Sequence, residues 1–126
     1  MFEKNYRISY LLDFYGNILT AKQREALNLY YNEDFSLAEI AVHVKITRQG
    51  VRDAIKRGEE TLIEMEEKLG FAEKVEQYNK VFEEIQRCAE VIRVSRSNLH
   101  FFKIIEENMT IILDQIDSVT KDKEAE

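Results

Sequence analysis

Apolar residues recur three and four apart along almost the whole chain, and this rhythm predicts a succession of helices. Ile8, Leu11, Leu12, Tyr15 and Leu19 mark a first helix, weakened at Gly16-Asn17. Thr20 and Gln23 form a capping box for a second helix running to about Asn32 and burying Leu27, Tyr30 and Tyr31. "NEDF" breaks that helix, and Ser36 with Glu39 starts a short one whose inward positions are Leu37, Ile40, Ala41 and Val44. Thr47 is the expected N-cap of a long fourth helix. Its inward seam is Val51, Ile55, Gly58, Leu62, Met65 and Leu69, and Gly70 is its left-handed C-cap. Two further seams follow, first Phe71, Val75, Tyr78, Phe82, Ile85, Ala89 and Ile92, then Phe102, Ile105, Met109, Ile112, Ile116 and Val119. The tail "KDKEAE" has nothing to bury and is expected to fray.

Composition narrows this picture to an all-α fold. The 126 residues include no proline and only four glycines, too few turn residues for a β domain. The expected organisation is a helix-turn-helix domain over 1–70 and a helical extension over 71–126. Val81, Cys88, Val91, Val94, Ile104 and Ile111 widen the last two stripes beyond what one hairpin can bury. A homodimer through residues 71–119 is therefore expected. The opening "MFEKNYRISY" lacks the features of a signal peptide, and no apolar stretch approaches the length of a membrane span. The expectation is a cytoplasmic protein with no membrane partner.

The charge of −6 is unevenly spread. Lys45, Arg48, Arg52, Lys56 and Arg57 face a single acid, Asp53, between residues 43 and 57. The next thirteen residues carry Glu59, Glu60, Glu64, Glu66 and Glu67 against Lys68 alone. Nucleic-acid binding would come from this focused patch and not from the overall field. In "SLAEIAVHVKITRQGVRDAIKR" the helix-turn-helix order is complete: a capped short helix, a turn plugged by Ile46, and inward positions Val51, Ala54 and Ile55.

Helical geometry points Gln49, Asp53 and Lys56 outward, with Arg52 and Arg57 on the flanks and Arg48 in the first turn. Arginine can donate two parallel hydrogen bonds to guanine, and glutamine can pair both ways with adenine. Lys56 and Arg57 suit phosphates, and Thr47 can cap the helix and touch a phosphate as well. Asp53 can accept from cytosine or pair with Arg57 one turn on, the pairing being the favoured alternative. The candidate nucleic-acid-binding residues are thus Thr47, Arg48, Gln49, Arg52, Asp53, Lys56 and Arg57.

Catalytic patterns are weak. His43 and His100 belong to no metal-ligand spacing, Cys88 sits in an apolar stripe, and Tyr6, Tyr10 and Phe14 read as core. The pairs Glu59-Glu60 and Glu66-Glu67 read as solvated helical faces. No enzyme activity, metal or cofactor is expected. The rival to DNA binding is a protein- or RNA-interaction module, its acidic helices docking a basic partner.

The stretch "LTAKQREALNLYYNEDFSLAEIAVHVKITRQGVRDAIKRGEETL" resembles the promoter-reading C-terminal domain, region 4, of bacterial sigma factors. The opening "NYRISYLLDFYGNILTAKQ" and the chain length are similar to the small YlxM-like family of proposed DNA-binding proteins. The resemblance covers about the first seventy residues closely and the remaining helices in length and character. It implies an all-α fold with a sigma-like helix-turn-helix and a regulatory role. It also implies a link to the signal recognition particle, through its protein or its RNA. Two positions depart from the sigma pattern. Lys45 stands where glycine is usual, which implies left-handed strain in the turn. Gly50 replaces a polar residue, which implies one lost contact.

Overall fold

The computed structural model describes residues 4–120, all of whose regular structure is helical. The tail 121–126, expected to fray, lies outside the described residues. The helices are α1 (Arg7–Tyr15), α2 (Ala21–Tyr31), α3 (Leu37–Val44), α4 (Arg48–Leu69), α5 (Phe71–Val94) and α6 (Phe101–Thr120), with one 3₁₀ turn at Gly16–Ile18. No helix among the described residues is long and apolar enough to cross a membrane.

Helix boundaries follow local chemistry. Thr20 accepts from the Gln23 amide at 3.2 Å while the Gln23 side chain accepts from the Thr20 amide, and Ser36 with Glu39 repeats the exchange. Each box satisfies a helix-terminal amide that the helix itself leaves without a partner. α1 ends at Tyr15, at the weak point expected at Gly16-Asn17. The chain tightens at Gly16, and Leu19 reaches the core from outside any helix.

The chain divides into two compact units, the first ending at Glu73 and the second beginning at Lys74. In the first, α1, α2 and α3 all pack on α4. Its core joins Ile8 and Leu11 of α1, Leu27 of α2, Ile40 of α3, and Val51, Ile55 and Leu62 of α4. Burying a side chain of this kind contributes roughly 1.5–3 kcal/mol. The far end of the α4 seam differs from expectation: Glu66 is buried and Leu69 is exposed. Glu66 has polar partners on other elements, which apolar periodicity does not register.

In the second unit, turns through residues 95–100 reverse the chain between α5 and α6, and a helical hairpin results. Val81 and Cys88, seven residues apart, are its buried positions on α5, and Asn108 is the one on α6. The expected seams were therefore rotated. Phe82, Ala89, Phe102, Met109 and Ile116 are exposed, and the buried Asn108 satisfies its side chain within α6 by donating to the Ile104 carbonyl at 2.8 Å.

α3 is closed by Lys45 in the left-handed region, at φ 62° and ψ 43°, and the amides of Lys45 and Ile46 both reach the Ala41 carbonyl. A side chain in this conformation costs about 1–2 kcal/mol, part of which glycine returns as backbone entropy. Lys45→Gly is expected to stabilise the protein by about 0.5–1 kcal/mol, a rise in melting temperature of a few degrees. An unchanged or lower melting temperature would show that the turn is relaxed as it stands.

Candidate nucleic-acid interface

The site is built from α3, the three-residue turn after it and the first half of α4. Thr47 is extended at φ −70° and ψ 159°, and its hydroxyl oxygen accepts from the Gly50 amide at 3.0 Å. The hydroxyl proton stays available to an outside acceptor. The first amides of α4 have no acceptor within the helix, so this end carries partial positive charge. Val51 and Ile55 are fully buried against the helices around them, and Ala54 is packed against the same core. With those positions held inward, Arg48, Gln49, Arg52, Asp53, Lys56 and Arg57 are all exposed, and Thr47 stands exposed at the helix start. The seven residues singled out from the sequence thus lie within the first three turns of one helix.

Three details differ from expectation. Asp53 accepts from the Gln49 side chain at 3.3 Å, one turn before it, and does not pair with Arg57. Gly50 is not an empty place on the outer face. A β-carbon there would lie 3.2 Å from the Thr47 hydroxyl oxygen and 3.5 Å from the Ile46 side chain, so this position faces the turn. Glu59 and Glu66, read as solvated, are turned inward. Glu59 is half-buried and accepts from the Tyr31 hydroxyl at 2.5 Å. Burial pushes the Glu59 carboxyl up against the opposing effect of that hydroxyl, and burial together with Glu59 pushes the Tyr31 phenol well up. One carboxylate beside Lys56 and Arg57 is therefore withdrawn from the surface.

Lys45 was counted in the charge of this stretch but not among the site residues. It is exposed in the turn immediately before the Thr47 cap. The missing glycine was the only signal in the sequence that its side chain has an unusual direction. On the support helix, His43 lies 3.5 Å from Glu25 and meets the Phe35 ring edge-on.

A short capped helix, a left-handed turn and a longer helix clamped across it define a helix-turn-helix protein. The family model described as "Putative helix-turn-helix protein, YlxM / p13 like" matches residues 2–100, and the chain belongs to this family, UPF0122. A UPF0122 protein of Acetivibrio thermocellus is 43% identical over 115 residues, covering 89% of this chain and 98% of that one. One from Clostridium kluyveri is 42% identical over 124 residues, or 98% of this chain and 87% of its own length. A Listeria welshimeri relative is 46% identical over 86 residues, covering 68% of this chain and 78% of that protein.

Proposed function

We propose that this protein is a DNA-binding regulator that lays the first three turns of α4 in the major groove, in the manner of sigma region 4. The observation that carries the reading is the sorting of one helix. Val51 and Ile55 are wholly buried while Gln49, Arg52, Lys56 and Arg57 are exposed around the rest of the helix, with Arg48 exposed in its first turn. Arg48, Gln49 and Arg52 are the base-edge candidates, and Lys56 and Arg57 contact phosphates. Thr47 and Lys45 meet the backbone at the helix start. Asp53 orients Gln49 through their hydrogen bond. Beyond Gly58 the exposed Glu60, Glu64 and Glu67 repel a phosphate backbone, which confines contact to the start of the helix.

The test is a fluorescence titration of random-sequence duplex DNA at two salt concentrations. Arg52→Ala is expected to weaken binding by about 1–3 kcal/mol, and Lys56→Ala to reduce the salt slope by about one. Lys45→Gly separates binding from folding, since it stabilises the fold while removing a phosphate contact. Absence of DNA binding at low salt refutes the reading.

The resemblance to the YlxM-like family supports a second reading, in which the unit serves the signal recognition particle in the cytoplasm. The exposed carboxylates after Gly58 are the surface for a basic protein partner of that particle. Signal-recognition-particle RNA belongs in the same titration. Binding to that RNA with none to duplex DNA favours the second reading, as does a protein interaction lost on charge reversal at Glu60, Glu64 and Glu67.

A further inference from the structure

The helical hairpin of the second unit has more apolar surface than it buries, and most of the excess on its helices lies on one side. On α5, Phe82 stands about 100° around the helix from the buried Val81. On α6, Met109 stands about 100° in the same rotational sense from the buried Asn108. Equal rotations on two antiparallel helices point to the same side of the hairpin. Phe102 and Ile116, seven residues before and after Met109, extend the line along α6, and Leu113 flanks it. The half-buried Ile85, Ile105 and Ile112 connect this stripe to the seam, and the exposed Arg93 and Glu106 border it near Phe82 and Leu113 on their helices.

Phe82 and Phe102 leave 63% and 86% of their surface open, and Met109, Leu113 and Ile116 leave 51%, 58% and 40%. At roughly 200 Å² for a large side chain, these residues expose on the order of 600 Å² of apolar surface. That is at the upper end, about 600 Å², of what a monomer usually shows in its largest patch. Two such faces together approach ~1,200 Å², the lower edge of a stable specific interface before any polar rim is added.

We infer that this face is covered by the same face of a second copy of the chain, two hairpins closing into a four-helix bundle. A largely apolar stripe with a seven-residue repeat is complementary to itself under a two-fold axis. Two hairpins, each with one apolar seam spent internally and one left over, meet the requirement of such a bundle. The inference is independent of what α4 contacts.

Light scattering and sedimentation equilibrium of the full chain at micromolar concentration are expected to give twice the chain mass. Met109→Glu would bury an unpaired carboxylate at the interface and is expected to raise the dimer dissociation constant about a hundredfold or more. Phe102→Ser acts in the same direction with little effect on the single chain, because Phe102 is almost fully exposed within it. Val94→Glu, on the far side of α5, is expected to leave the dimer intact. A single-chain mass for the unaltered protein overturns the inference. So does a dimer that survives both Met109→Glu and Phe102→Ser, or one that Val94→Glu dissociates as readily.

Discussion

Glu66→Ala is expected to lower the stability of the protein by about 3–5 kcal/mol, because the buried carboxylate it removes serves several donors at once. The Tyr15 hydroxyl donates to Glu66 at 2.7 Å, the amides of Ala72 and Glu73 at 2.9 and 3.0 Å, and the Arg7 guanidinium lies at 3.5 Å. Tyr15 in turn accepts from the Phe71 amide at 3.1 Å. The first three amides of α5 are thus satisfied by side chains of α1 and α4, in place of a capping residue of its own. Alanine leaves the Ala72 and Glu73 amides and the buried Tyr15 O–H without an acceptor. Glu66→Gln keeps an acceptor oxygen and loses the charge, and roughly half the cost is expected. Equilibrium urea unfolding measures both.

Acid titration gives a second measure of the same contact. Burial pushes the Glu66 carboxyl up, but the Tyr15 hydroxyl, the two amides and the Arg7 charge outweigh it, and the native pKa lies below the ordinary carboxylate value. A depressed native pKa means that the unfolded chain takes up the proton first. The stabilisation is therefore complete above the ordinary carboxylate range and disappears as pH falls through the lower native value. The unaltered protein is expected to lose stability more steeply across that acid window than Glu66→Gln. Parallel acid limbs would show that Glu66 contributes no such linkage.

Gly58→Val is expected to cost about 3 kcal/mol, at the upper end of ordinary overpacking. At Gly58 α4 lies against α2, and a β-carbon there would stand 2.6 Å from a methyl of Leu27. Leu27 is fully buried and has no solvent-filled space into which to turn. Even Gly58→Ala is expected to destabilise, although alanine favours a helix interior over glycine by about 1 kcal/mol. The sign decides the matter: an increase in stability would mean that the crossing can open without cost. Combining Gly58→Ala with Leu27→Ala is expected to cost less than the two single changes together, since the smaller side chain removes the collision.

Much of the fold was legible in the sequence because helix starts are local events. Thr20 with Gln23, Ser36 with Glu39, and Thr47 each satisfy amides within three residues, and Gly70 ends α4 in the left-handed conformation, at φ 63°. Val51 and Ile55 were assigned inward from spacing alone, and their outward neighbours followed from 100° per residue. The order of helices around the turn, and with it membership of a helix-turn-helix family, needed nothing more distant.

What only the tertiary structure decided depends on residues far apart in the chain. Glu66 and Tyr15 are separated by 51 positions and Glu59 and Tyr31 by 28, so each carboxylate looked like one more solvated acid. Charge alone cannot tell a solvated glutamate from one turned toward a tyrosine on another helix. The hairpin seam was ambiguous for a related reason: both long helices are apolar over a wide arc, and periodicity does not choose the centre of it. In the folded chain Val81, Cys88 and Asn108 are buried, and Phe82, Phe102 and Met109 are left outside. Local hydrogen bonding is written residue by residue in the sequence. Burial is a property of which surfaces meet, and that is settled only when the helices are in place.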